Sequence, residues 1–218
     1  MSRYTAVSSP DVGKKQRKKD RVLSDVELYD LMSSIQKREG AFYMRYLCQL
    51  LIVFGARTQE LRLSTFEEWD LDRDLWTVPK AHSKTDTLII RPIPARIKPL
   101  IKFLHKRHGE TGYLLGELKS RESVSGAGSL ICKRLKHKDI WSLHDLRRTF
   151  ATKLNDLGVA PYVVEQLLGH SLGGMMAIYN RSQYLPEKQA ALNMWCEWLE
   201  LLVNPVDNVV LIGSAKTG

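Results

Sequence analysis

The sequence predicts a mainly α-helical fold with a small three-stranded antiparallel β-sheet. Helical segments with apolar periodicity, several of them opened by capping residues, occupy most of the chain. Short strand-like runs separated by turn residues occur in one region, residues 69–93. The chain has 218 residues, 44% of them hydrophobic, which is enough for a substantial core. We expect a basic tail at residues 1–20, one folded domain at 21–203 and a second tail at 204–218.

The charge balance favours a polyanionic partner, because 33 lysines and arginines face 24 acidic residues and give a net charge of +9. Cys48, Cys132 and Cys196 form no CxxC pair, so we expect reduced, buried thiols in an intracellular protein. Neither a metal site nor a cofactor is predicted. No apolar run approaches membrane-spanning length, and no membrane partner is expected.

The N-terminal tail contains a basic run, residues 13–21, in which six of nine residues are lysine or arginine. Such a run is either solvated or lies along a phosphate backbone, where it adds salt-dependent affinity without reading the base sequence. Both interpretations stay open. In the second, the DNA-contacting residues of the tail are Lys14, Lys15, Arg17, Lys18 and Lys19.

The helices are predicted from caps and periodicity. Ser24 and Glu27 form a capping box that starts a helix ending near residue 37. Residues 41–54 are apolar on nearly every side, which predicts a helix in the middle of the domain. Further helices are predicted over residues 97–107, 125–136 and 187–202.

Arg57 lies directly after the central helix, which ends at Gly55. An arginine at such a junction can be held by the surrounding helix ends, and Glu60, three residues later, can fix its guanidinium. The alternative is an ordinary surface salt bridge, which would contribute little.

Residues 69–71, 76–79 and 87–93 are predicted to be the three strands. The loop between the last two contains Lys84. A lysine on such a loop is usually solvated, and a functional one would have to swing into a cleft. A short apolar run at 209–212 is either an edge strand or disordered.

The most informative stretch runs from His144 to Tyr179, and the helix that carries His144 starts just before it. Ser142 and Asp145 form a capping box, and the helix that follows has one apolar face. At about 100° per residue, Arg147 borders that face and leans over the edge of the core towards a cleft. Arg148 points nearly opposite, so we expect it in solvent, where it is also a candidate DNA contact.

The second half of this stretch carries a histidine and a tyrosine. Pro161 opens a helix that Gly169 closes, so His170 lies on a turn where its side chain can face a ligand. Two glycines then precede residues 175–181, predicted to form a short, movable helix that carries Tyr179. Together with His144 and Arg147, these residues are a poor metal site but a suitable set for holding and attacking a phosphodiester.

In this order and spacing, the motifs make residues 23–202 resemble the catalytic domain of the tyrosine recombinases, the phage integrase family. The segment AIYNRSQYLPEKQAALNMWCEWL (177–199) is similar to integrases of P4-like phages and genomic islands. The resemblance implies the catalytic-domain fold of that family and an acidic companion, Glu60, for its first arginine. It implies six catalytic residues, which are Arg57, Lys84, His144, Arg147, His170 and Tyr179.

The implied reaction is cleavage and rejoining of DNA through a 3′-phosphotyrosyl intermediate. Tyr179 is the expected nucleophile, Lys84 the general acid and His144 the base or proton relay. The two arginines and His170 are expected to hold the phosphate oxygens.

The resemblance also implies partners. These are double-stranded DNA, a homotetramer of the full-length enzyme on DNA, and host or phage DNA-bending and directionality factors, in the cytoplasm at the nucleoid. Integrases of this type carry an N-terminal core-binding domain, so we expect this chain to be the catalytic half with part of the linker.

Three other functions compete with this interpretation. A type IB topoisomerase uses similar chemistry, although the C-terminal similarity favours an integrase. A catalytically inactive DNA-binding protein would not need all six motif positions filled. A metal-dependent nuclease or relaxase needs clustered acidic or histidine ligands that the sequence lacks.

Overall fold

The computed structural model describes residues 21–170 and 183–205. Over these ranges the fold is mainly helical with one small sheet, as predicted. The helices are α1 (Asp25–Gln36), α2 (Phe42–Phe54), α3 (Thr58–Leu63), α4 (Lys98–His108), α5 (Arg121–Ser125), α6 (Ala127–Arg134), α7 (Leu143–Asp156), α8 (Pro161–Leu167) and α9 (Leu185–Val203). The strands are β1 (Trp69–Asp70), β2 (Leu75–Val78) and β3 (Ile89–Pro92).

The predicted caps start and end the helices that frame the site. Ser24 and Ser142 each form the expected capping box, with Glu27 and Asp145 respectively. Helix α2 ends at Gly55, whose φ of 56° favours glycine. A Cβ there would lie 2.2 Å from Cδ1 of Phe150, so α2 and α7 approach too closely for any side chain at this position.

Helix α2 is the centre of the core, as its apolar sequence predicts. Eight of its residues are buried, and α7 and α9 pack against it. The indole of Trp195 donates to the Ile52 carbonyl over 2.9 Å and meets the Phe150 ring edge-on. This packing fixes the C-terminal end of α2 relative to α7, which matters because both helix ends carry site residues.

The sheet is antiparallel in the order β1-β2-β3 and confirms the three predicted strands, with β1 and β3 shorter than predicted and β2 starting one residue earlier. Trp76 of β2 pairs with Trp69 on one side and Arg91 on the other. The two indoles stack with centroids 4.6 Å apart. Strand β3 packs against α8 and α9, so the sheet lies beside α8.

Some features differ from the predictions or lie beyond the described ranges. The predicted helix over 125–136 is confirmed as the shorter α6, and a short helix that was not predicted, α5, precedes it and ends before Gly126. The three cysteines are buried and free, as predicted. No helix within residues 21–170 and 183–205 is long and apolar enough to cross a membrane. The tail at 1–20, the helix predicted at 175–181 and the run at 209–212 lie outside the described residues.

Candidate active site

Arg57 lies at the junction between α2 and α3, where it is the N-cap residue of α3. Its Nη1 donates to Glu60 Oε1 over 3.1 Å and to the Leu168 carbonyl over 3.4 Å. Glu60 is fully buried. The predicted contact between these residues is confirmed, and the surface salt-bridge alternative is wrong because the carboxylate has no exposure to water.

Arg147, near the start of α7, connects this helix to the C-terminal ends of α2 and α8. Its Nη1 donates to the Gly55 carbonyl over 2.8 Å, and its Nη2 donates to the Leu168 carbonyl over 2.6 Å. The side chain is deeper than predicted, with 5% exposure, because the close crossing of α2 and α7 covers it. Burial and the positive charges of Arg57 and Arg91 lower the pKa of Arg147 to about 9, which leaves it protonated at neutral pH.

Arg91 on β3 is a third arginine of the cluster and was not predicted from the sequence. It is fully buried, donates through Nη2 to Glu60 Oε2 over 2.7 Å and through Nε to the Leu167 carbonyl over 2.7 Å. Its guanidinium lies 4.9 Å from the centroid of the Trp76 ring. The available signal was an arginine in the middle of an apolar strand, a position that a charged residue occupies when it is paired.

Glu60 therefore bridges two arginines, Arg57 through one oxygen and Arg91 through the other. Burial alone would raise the pKa of this carboxyl. The positive charges of Arg91 and Arg147 outweigh burial and hold the pKa of Glu60 below its usual range. The carboxylate is thus ionised at neutral pH and fixes the orientation of Arg57 from inside the protein.

His170 follows α8 on the predicted turn, after Gly169 with φ of 67°. Its Nε2 lies 3.1 Å from Arg147 Nη2, and its Nδ1 lies 2.6 Å from Glu165 Oε2. Because arginine can only donate, Nε2 accepts and Nδ1 carries the proton. Both ring nitrogens are engaged, which orients the ring beside the arginine cluster.

Lys84 and His144 lie on the outer side of the cluster. Lys84 is exposed on the β2–β3 connection, and His144 is exposed in the first turn of α7. Desolvation and the positive charges of Arg148 and Arg147 lower the pKa of His144, so its ring is neutral and able to accept a proton at neutral pH.

Arg148 does not lie free in solvent, which corrects the prediction. Its Nη1 donates to Asp145 Oδ1 over 2.5 Å, and its side chain is 31% exposed. The reason is local, because Asp145 sits three residues earlier on the same helix and is held in the capping box.

These side chains come from distant parts of the sequence but line one open cavity of about 360 Å³. Five of the six predicted catalytic residues are brought together there, and Tyr179 lies outside the described residues, as do the basic residues of the tail. The lining consists of Arg57, Lys84, Thr85, His144, Arg147, Arg148, Ala151, Leu168 and His170.

The cavity is cationic, and in the described part of the chain no group of three or more His, Cys, Asp or Glu side chains could hold a metal ion. Tyr162 packs against Tyr184 with ring centroids 4.9 Å apart. Positive charge at this opening is chemically suited to a phosphate group.

Comparison with known proteins agrees with this geometry. The sequence profile of the phage integrase family matches residues 21–185. The prophage integrase IntZ of Escherichia coli K12 is 25% identical over 177 residues, which cover 78% of this chain and 44% of IntZ. The chain spans about half the length of such relatives.

Solved structures share the fold. An integrase from mycobacterium phage Brujita superposes with a TM-score of 0.61 at 22% identity, covering 83% of this chain and 59% of that one. The Tn1549 transposon integrase, solved in complex with a circular intermediate DNA, gives a TM-score of 0.60 at 17% identity, covering 72% and 60% respectively.

Proposed function

The chain belongs to the phage integrase family, and we propose that it cuts and rejoins DNA strands in site-specific recombination, through a covalent intermediate on Tyr179. The observation that carries this proposal is the convergence of Arg57, Arg147 and His170 on one cationic opening that Lys84 and His144 also line. Integration or excision of a mobile element is the process that such a reaction serves.

The arginines supply electrostatic stabilisation. When the Tyr179 oxygen attacks phosphorus, negative charge grows on the two non-bridging oxygens. Arg57 and Arg147 are held by main-chain carbonyls and by a buried carboxylate, so their charge is in place before the reaction begins. Preorganised donors of this kind lower the barrier because nothing must reorient as the charge develops.

The remaining residues handle protons. The Tyr179 O–P bond forms while the P–O5′ bond breaks, and the tyrosyl proton passes to His144, whose neutral state the lowered pKa supports. Lys84 donates a proton to the leaving 5′ oxygen. The products are a 3′-phosphotyrosyl link and a free 5′ hydroxyl. Reversal with another 5′ hydroxyl rejoins the strands without ATP because the covalent link conserves the bond energy.

Double-stranded DNA is the proposed partner, supported by the charge of +9 and by the Tn1549 integrase that was solved with DNA. A homotetramer of the full-length enzyme, DNA-bending and directionality factors, and a location at the nucleoid in the cytoplasm are parts of the same proposal. The basic tail and Arg148, which lines the cavity, are the proposed contacts to the phosphate backbone.

The test is to trap the covalent adduct. The chain is incubated with a pool of nicked duplexes randomised around the nick, and protein-linked DNA is isolated. Tyr179→Phe should abolish the adduct, whereas Tyr162→Phe and Tyr184→Phe should retain it. Adduct formation should also persist in EDTA, since protein cations supply the positive charge. A DNA-linked peptide containing Tyr162 or Tyr184 would overturn the assignment.

A further inference from the structure

A partly buried contact between a histidine and a carboxylate lies just before the loop that carries Lys84. The ring nitrogen Nδ1 of His82 lies 2.7 Å from Glu68 Oε1. His82 ends a short 3₁₀ turn, Lys80–His82, that leads from β2 into the loop. From this contact we propose that His82 and Glu68 are positioning residues that hold Lys84 at the cavity. The inference rests on the proposed function, in which Lys84 is the general acid.

Glu68 is a fixed anchor. Its Oε1 accepts from the Thr65 backbone nitrogen over 3.2 Å, and its Oε2 accepts from Ser64 Oγ over 2.9 Å and from Trp76 Nε1 over 3.0 Å. The carboxylate is therefore held by β2 and by the turn before β1 without any help from His82. A partner that binds it takes up one defined position relative to the sheet.

The segment between His82 and Lys84 transmits that position. Ser83 is buried, its backbone nitrogen donates to the Lys80 carbonyl over 3.0 Å, and its hydroxyl contacts Thr85 Oγ1 over 3.1 Å. The Thr85 nitrogen donates back to Ser83 Oγ over 3.3 Å. Lys84 is thus the exposed central residue of a hydrogen-bonded turn. Because it is two residues after His82, its Cα lies within about 7 Å of the His82 Cα.

The same turn is tied to the arginine cluster. The side-chain amide of Gln59, two residues after Arg57, lies 3.5 Å from the His82 carbonyl. The contact between His82 and Glu68 consequently places the lysine turn relative to both the sheet and α3. A flexible lysine needs such placement, because a general acid must come within about 3 Å of the oxygen that it protonates.

Two substitutions of His82 distinguish the effect of its hydrogen bond from the effect of its side-chain volume. His82→Leu keeps the approximate volume but removes the donor, whereas His82→Asn keeps an N–H donor near the position of Nδ1. Lys80→Ala is the matched control, since it changes an exposed residue of the same turn. Each variant is compared on duplexes recovered from the trapped pool and on the same duplexes with sulfur replacing the bridging 5′ oxygen, because sulfur leaves with little protonation.

On ordinary DNA, His82→Leu should slow cleavage by about 10-fold to 100-fold, the range expected for a misplaced catalytic group. His82→Asn should recover most of the rate, and Lys80→Ala should match the unsubstituted chain. With the sulfur substrate, His82→Leu should cleave at nearly the unsubstituted rate. Adding His82→Leu to Lys84→Ala should cause no further loss, because the histidine acts only through the lysine.

A second measurement needs no cleavage. Amide hydrogen exchange at residues 83–86 should accelerate about tenfold in His82→Leu but not in His82→Asn. Unchanged exchange, or a His82→Leu defect of equal size on both substrates, would overturn the positioning role. If the sulfur substrate does not rescue Lys84→Ala, Lys84 is not the general acid and that part of the proposed function is wrong. The hydrogen-exchange result then decides by itself whether His82 holds the turn.

Discussion

Replacing Glu60 with glutamine tests whether one buried carboxylate holds the arginine cluster together. The substitution keeps size and shape but removes the charge that Arg57 and Arg91 share. The loss concerns two charge-assisted hydrogen bonds, of 3.1 Å and 2.7 Å, and Arg91 is left as a fully buried cation without an anionic partner. Removing one partner of a buried pair costs about 3 to 5 kcal/mol in the free energy of unfolding.

The assay is urea unfolding of both proteins at several pH values. The folded-state pKa of Glu60 lies below its ordinary value of 4.5, so its contribution to stability is fully present above that value. It is lost as pH falls through the lowered pKa. The difference between Glu60→Gln and the unsubstituted chain should therefore be constant near neutral pH and shrink in acid.

The control is Glu197→Gln, which removes an exposed carboxylate and should change stability by no more than about 0.5 kcal/mol. If Glu60→Gln unfolds within about 1 kcal/mol of the unsubstituted chain at pH 7, the cluster does not depend on this charge. A difference that grew as the pH fell would equally contradict the reasoning, because the sign of the pKa shift forbids it.

The other predictions concern catalysis and binding. Arg147→Ala should slow strand cleavage by about 100-fold or more, whereas Arg148→Ala, which removes a residue paired with Asp145, should cost far less in the same rate assay. The cleavage rate should fall as pH decreases through a pKa below 6.5, and His144→Gln should remove this acid limb of the pH–rate profile. Deleting residues 1–20 should make the salt dependence of DNA affinity shallower by several units of log–log slope, as measured by fluorescence anisotropy; an unchanged slope would mean that the tail is merely solvated.

Much of the site could be predicted because its determinants are local in sequence. Arg57 and Glu60 are three residues apart, and the cap at Ser142 sets the rotation of the helix that carries Arg147. Arg91 could not be found this way, since its partner Glu60 is 31 positions away and the two side chains meet only in the folded structure.

The prediction for Arg148 failed for a different reason. The position of a residue around a helix predicts the direction of its side chain but not its hydrogen-bond partner. Here Asp145, three residues earlier, accepts a hydrogen bond from the Arg148 guanidinium. The contact between His82 and Glu68 was likewise hidden, because it joins a loop to the turn before β1 across 14 positions.

The reliance of the cluster on main-chain carbonyls has a consequence for how its sequence can vary. Arg147 and Arg91 donate to the carbonyls of Leu168 and Leu167, and a carbonyl is present whichever amino acid occupies the position. In homologous proteins these two positions can therefore be occupied by different apolar residues without loss of the main-chain carbonyl acceptors. Gly55 cannot be substituted in this way, because the residue whose carbonyl accepts from Arg147 has a positive φ and no space for a Cβ. Tolerance to substitution at the cluster is therefore set by backbone shape, and neighbouring positions should diverge at very different rates.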